Sequence, residues 1–164
     1  MLIARTIQEC VSFRHKLNKK VGLVPTMGAL HKGHIALIKQ SLKKCDITIV
    51  SIFLNPKQFG ANEDLDSYPI DDLRDLKILN KLNIDCVFMP LKSEIYESDH
   101  SIDIVENKLS KLLEGDSRPN FFSGVITIVS KLFNICNPSD VFFGEKDAQQ
   151  LIIIKKLIKD LNYN

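Results

Sequence analysis

Two histidines three residues apart, His31 and His34, close the segment PTMGALHKGH where an apolar 3.6-residue period begins. The first amides of a helix and its dipole favour an anion there. Two imidazoles can also donate hydrogen bonds to oxygens that gain charge during phosphoryl or adenylyl transfer. The competing readings are a pair of surface histidines or half of a metal site. No nearby Cys or His supplies a third ligand, so the preceding strand and glycine favour the anion. Gly28 and Gly33 have the spacing of a Walker A loop. His34-Ile35 stands where Lys-Ser/Thr would bind phosphate and magnesium, which excludes a Walker NTPase. No G-x-G-x-x-G occurs, so the dinucleotide fingerprint is missing as well.

A second set of polar residues lies in FGEKDAQQ. Gly144 would let a backbone approach a ribose, Asp147 can accept from ribose hydroxyls, and Lys146 supplies a point charge for phosphate. The same string also reads as a polar helix start capped by Asp147. A third set, Asn55-Pro56-Lys57-Gln58-Phe59, follows a strand end, where an amide can both donate to and accept from a hydroxy acid; a plain Asn-Pro turn is the alternative. Arg118, near Asp116, reads by itself as a solvated charge, and Tyr68 as a surface or hinge residue. Asp71, Asp72 and Asp75 have the spacing of a solvated carboxylate face at a helix start, so no protein-built metal cage is expected.

These residues need elements to hold them. Thr6 can cap a first helix carrying Ile7, Val11, Phe13 and Leu17. Val21–Val24 reads as a strand, the segment from Gly33 as a helix, and Asp46–Leu54 as an apolar strand covered on both faces. Residues 57–70 are too polar and punctuated for a core element and read as a long, mobile loop. A helix over Asp71–Asn83 and a strand over Asp85–Met89 follow. A short strand over Ile102–Val105 and a turn or two of helix over Lys108–Leu113 come next. Ser123 can cap a helix ending at Asn137-Pro138, ahead of a strand over Asp140–Phe143 and a helix over Asp147–Asp160. Strands alternating with helices predict an α/β, doubly wound parallel sheet. Its ligands would sit at the carboxyl ends of the strands, in the loops that start at Pro25, Asn55, Pro90 and Gly144.

Composition narrows the function classes. The 164 residues suit one domain with an adequate core. With 22 Lys+Arg against 20 Asp+Glu there is no polybasic surface for nucleic acid. Cys10, Cys45, Cys86 and Cys136 form no CxxC, which suits a reducing compartment. No apolar run is long enough for a membrane span or a secretory h-region, so a cytoplasmic protein is expected.

Five blocks occur in order: VPTMGALHKGH, SIFLNPKQF, DSYP, LEGDSRPNFFSGV and FGEKDAQQL. Together they resemble the pantoate–β-alanine ligases, or pantothenate synthetases, along nearly the whole chain. The resemblance implies a Rossmann-like fold whose HxGH is the counterpart of the HIGH signature of class I aminoacyl-tRNA synthetases and related nucleotidylyltransferases. It also implies a two-step reaction. Pantoate and ATP give pantoyl adenylate and pyrophosphate, and β-alanine then releases AMP and forms pantothenate. By the same resemblance His31, His34 and Lys146 are catalytic residues on the ATP phosphates. Pro25, Met27, Gly144 and Asp147 join them around the nucleotide, and Met27, Gln58 and Gln150 contact pantoate. Phe59 walls that pocket, and Asn55, Tyr68 and Arg118 lie near it. Magnesium would arrive with ATP, and the assembly would be a cytoplasmic homodimer.

The chain departs from the family pattern at Phe121 (usually His), Ala148 (usually Tyr) and Ile70 (usually Arg). The family also continues into a smaller domain with an SSRN phosphate loop. Residues 1–164 are therefore expected to be the ATP- and pantoate-binding domain without that lid, inactive or impaired in turnover. Another HxGH nucleotidylyltransferase and a noncatalytic nucleotide-binding module are the alternatives.

Overall fold

A computed structural model describes residues 1–60, 65 and 67–163. The chain divides into two compact units. The strands are β1 (Leu2–Ala4), β2 (Val21–Thr26), β3 (Ile47–Ile52), β4 (Cys86–Phe88) and β5 (Asp140–Val141). The helices are α1 (Ile7–His15), α2 (Lys32–Lys44), α3 (Asp72–Lys81), α4 (Lys92–Ile95), α5 (Glu114–Ser117), α6 (Phe121–Cys136) and α7 (Ala148–Asp160).

The first unit comprises residues 1–54, 69–100 and 132–143 and holds the sheet. All strand pairs are parallel, in the order β1-β4-β3-β2-β5. From β2 the chain steps through β3 to β4 on one side, whereas β5 joins the other side. The reversal of strand order therefore lies between β2 and β5, and ligands of such sheets bind outside the carboxyl ends at this point. Every residue of β3 is buried, as its unbroken apolarity requires. Val24, Leu30, Ile38, Val50, Leu79, Ile84 and Val87 form a core that locks α2 and α3 onto β2, β3 and β4. Each such side chain contributes roughly 1.5–3 kcal/mol of transfer free energy.

Proline is tolerated within β2 for a geometric reason. Leu23 O faces β5, where it accepts from Phe142 N, and Thr26 O faces β3, where it accepts from Phe53 N. By alternation the Pro25 nitrogen faces the β5 side. Pairing with β5 already ends at Leu23, so no ladder bond is lost there.

The second unit comprises residues 55–68, 101–131 and 144–164. A 3-10 turn over Pro56–Gln58, another over Leu109–Lys111, α5, α7 and α6 as far as Lys131 build it. The remainder of α6 belongs to the first unit.

The long helices and the inner strands follow the periodicity of the sequence. Four details differ. β1 is an additional strand, added at the sheet edge through Leu2, Ile3 and Ala4. Ile102–Val105 is not a strand: Ile102 and Val105 are exposed, and Ile104 N donates to the Thr127 hydroxyl rather than to a ladder. α6 starts at Phe121, so Ser123 lies inside it as a donor to Ile104 O rather than as a cap. The helical turns near Lys108 run past Gly115, because α5 includes it. Of the loop expected over 57–70, residues 61–64 and 66 lie outside the described residues.

Candidate functional site

The tip of α2 begins where β2 ends. Thr26 Oγ1 donates to Ser51 O at 2.8 Å and accepts from Gly28 N at 3.2 Å, which turns the chain sharply out of the sheet. Gly28 and Ala29 then take φ of +87° and +50°, a conformation natural to the glycine. Leu30 plugs into the core. Its two backbone groups are clamped by neighbours on α3: Leu30 N donates to Asp75 Oδ1 at 2.9 Å, and Arg74 Nη2 donates to Leu30 O at 3.1 Å.

His31 is the N-cap residue, and it forms a capping box with His34. Gly33 N donates to His31 Nδ1 at 3.1 Å, and His31 N donates to His34 Nδ1 at 3.4 Å. The two rings stack with centroids 4.0 Å apart. An Nδ1 that accepts leaves Nε2 as the protonated nitrogen of a neutral imidazole, so in both rings Nε2–H is the donor side. No acidic residue occupies the first turn of α2; the carboxylate beside this tip is that of Asp75, held on Leu30 N. Gly33 is required by this geometry, since a Cβ there would lie 2.8 Å from His31 Cε1. Pro25 and Met27, both half-buried, precede the tip.

In the second unit Asn55 is fully buried. Its Nδ2 donates to Gln58 Oε1 at 2.8 Å and to Gly124 O at 3.0 Å. With Oε1 engaged, Gln58 has its amide NH2 to present as a donor. Gly124 permits this contact, because a Cβ there would lie 2.2 Å from Lys57 O. Arg118 Nη2 donates to Gln58 O at 3.2 Å, Nη1 meets Glu114 Oε1 at 2.8 Å, and the guanidinium lies 3.7 Å from the Phe121 ring centroid. Arg118 is thus a fixed group and not the free solvated charge its isolated sequence context suggests. Phe121, at the position where the family pattern has His, supplies the π-face for it. Tyr68 meets the Phe59 ring edge-on at 6.0 Å.

Lys146 and Asp147 are exposed neighbours, with Nζ 3.9 Å from Oδ1. Asp147 precedes α7 but makes no side-chain cap bond, so its carboxylate is not consumed by the helix. A Cβ at Gly144 would meet only Lys146 Cγ, at 3.9 Å, so internal packing does not demand glycine there. The adjacent glutamines divide their work. Gln149 donates to Leu109 O and Leu112 O and accepts from Glu114 N, whereas Gln150 has no hydrogen-bond partner among the described residues.

His31, His34, Pro25 and Met27 therefore belong to the first unit, and Asn55, Gln58, Tyr68, Arg118, Gly144, Lys146, Asp147 and Gln150 to the second. Asp75 corrects the expectation of a solvated carboxylate face. It is 1% exposed and carries the backbone of Leu30, one residue before His31. Its place at i−4 from buried Leu79 on α3 was the available signal. Asp71 does behave as a helix cap, accepting from Arg74 N. Among the described residues no group of three His, Cys, Asp or Glu side chains is arranged to hold a metal ion.

The sequence model described as pantoate-beta-alanine ligase matches residues 2–164. The chain belongs to the pantoate–β-alanine ligase family. It is 48% identical to a pantothenate synthetase of Thermotoga neapolitana over 99% of this chain and 59% of that protein. Its identity to the Campylobacter hominis pantothenate synthetase is 47%, over 100% and 62% of the two chains. The crystal structure of the Francisella tularensis pantoate-beta-alanine ligase complexed with beta-gamma ATP and beta-alanine aligns with a TM-score of 0.96 and 44% identity. That alignment covers 100% of this chain and 64% of the ligase. The pantothenate synthetase of Thermus thermophilus gives 0.96 at 38% identity, over 99% and 59%. The chain thus spans about three fifths of the length of these ligases. No helix among the described residues is long and apolar enough to cross a membrane.

Proposed function

We propose that these 164 residues bind ATP and pantoate and carry the adenylating chemistry of a pantoate–β-alanine ligase. The observation that carries this reading is the imidazole capping box of α2, in which both Nδ1 atoms accept and no acidic residue occupies the first turn. In the proposed step a pantoate carboxylate oxygen attacks the α-phosphorus of ATP. The bond to the β-phosphate oxygen breaks, pyrophosphate leaves, and the mixed anhydride remains. His31 and His34 donate to phosphate oxygens as their charge grows, and Lys146 adds a positive charge on the leaving side. Gly144 and Asp147 hold the ribose, with Pro25 and Met27 beside the nucleotide. Gln58 donates through the NH2 that Asn55 leaves available, and Gln150, unpartnered among the described residues, joins it on pantoate. Arg118 and Tyr68 complete the surroundings of Gln58. The amine of β-alanine then attacks the acyl carbon and releases AMP.

Magnesium enters as part of the nucleotide substrate, bridging phosphates. The ligases matched are longer than this chain, and a lid that excludes water contributes strongly to rate, so turnover by residues 1–164 alone is expected to be impaired while binding persists. The family resemblance supports a homodimer in the cytoplasm.

The test is pantoate-dependent exchange of labelled pyrophosphate into ATP, alongside calorimetric titration with ATP. Exchange that requires pantoate supports the reading, and exchange driven only by a phosphate-bearing acceptor points to another HxGH nucleotidylyltransferase. ATP binding without exchange, in a chain extended to the length of the relatives, would leave a noncatalytic binding module.

A further inference from the structure

Three of the four cysteines meet inside the first unit, and none of them is among the residues assigned above. Cys10 on α1, Cys86 on β4 and Cys136 at the end of α6 are each fully buried, and the Sγ atoms of Cys10 and Cys136 are 3.8 Å apart. We propose that Cys10 and Cys136 are a dithiol modification site that takes up an intramolecular disulfide from a low-molecular-weight disulfide oxidant. A disulfide needs the sulfurs about 2 Å closer. The partners are held in register, because Arg14 Nε, one turn beyond Cys10, donates to Asn137 O, next to Cys136, at 2.9 Å.

The covering element supplies the oxidant's route. Cys10 is the only fully buried residue of α1; Ile7, Val11 and Phe13 are half-buried, and the capping box, Ile7 N on Glu94 Oε1, and Arg14 add polar contacts. A helix with one fully buried side chain opens at less cost than the sheet, whose central strand β3 is buried throughout. Cys10 is the attacking group. It sits on the covering helix and is uncovered when that helix opens. Cys10 sulfur attacks one sulfur of the reagent and expels a small thiolate, which takes the Cys10 proton. Cys136 then loses its proton and attacks Cys10 sulfur, and the second small thiol departs. Two protein thiols are oxidised to one disulfide, and the reagent is reduced to two thiols. Cys45 is excluded from the pair, since its thiol faces Asp140.

This inference is independent of the ligase reading. The native chain is incubated with oxidised glutathione, alkylated with N-ethylmaleimide, and mapped by mass spectrometry without reduction. The expected product is a Cys10–Cys136 linked peptide with Cys86 recovered as a thiol. Cys136→Ser loses the link and Cys86→Ser keeps it. If Cys136→Ser does not fold, the wild-type map and Cys86→Ser still decide. Modification confined to Cys45, or a Cys10–Cys86 link in place of the proposed one, overturns the assignment.

Discussion

α1 and α2 start with the same device built from different side chains. In α1 the Thr6 hydroxyl accepts from Glu9 N at 3.2 Å, and Glu9 Oε2 accepts from the amides of Thr6 at 3.1 Å and Arg5 at 2.6 Å. In α2 the corresponding acceptors are the Nδ1 atoms of His31 and His34. Both boxes satisfy orphan amides, but only the first uses a carboxylate as one of its acceptors. The second has no acid in its first turn and uses imidazoles whose other nitrogen is the donor side. One sequence thus builds the same geometry at residue 6, where it caps a helix, and at residue 31, where the proposed function assigns it an anion. What separates the two is whether the acceptor has a second, protonated nitrogen.

Substitutions can break this contrast at several strengths. The largest expected effect is that of His34→Ala in this chain extended to the length of its relatives. Pantoate-dependent exchange should fall roughly 100–1000-fold with little change in ATP affinity, since a donor to developing charge acts chiefly in the transition state. An equal loss in calorimetric ATP binding would contradict that role. Gly33→Ala follows, with a loss on the order of 100-fold, because the added methyl displaces the His31 ring by a fraction of its own size. Its thermal midpoint should stay near that of the parent, and a collapse of the fold would show that Gly33 serves packing instead.

Asp75→Ala removes the acceptor of Leu30 N and leaves that buried amide unsatisfied, at about 1–3 kcal/mol in denaturant unfolding. It should also lower exchange, whereas a variant equally stable and active would refute the clamp. Thr6→Ala should cost about 1 kcal/mol and leave ATP binding untouched. The smallest effect is that of pH on α1. The Arg5 and Thr6 amides hold the Glu9 carboxyl below its ordinary 4.5, so its contribution is present above that value. It is lost as pH falls through the lowered pKa, and amide exchange should show α1 fraying first.

Much of this was legible beforehand because the decisive signals are local. The apolar run of β3, the caps at Thr6 and Asp71 and the glycine between the histidines each act over a few residues. What escaped depends on distant partners. β1 is three residues long and exists only because Cys86–Phe88 offers an edge. Asp75 looks like a surface acid until Leu30 is folded against it. Ile102 and Val105 have strand-like side chains but no neighbouring strand to pair with. The role of Asn55 as the organiser of Gln58 becomes visible only when Gly124 brings α6 against the turn.

At the tip of α2 the imidazoles of His31 and His34 accept through Nδ1, which leaves Nε2 as the donor side. Nitrogen NMR of the 15N-labelled chain, titrated with magnesium and ATP, reads this out. Nε2–H tautomers are expected for both residues, with a shift of both Nε2 resonances as nucleotide binds. Nδ1–H tautomers, or resonances that stay fixed while calorimetry records ATP binding, would contradict it.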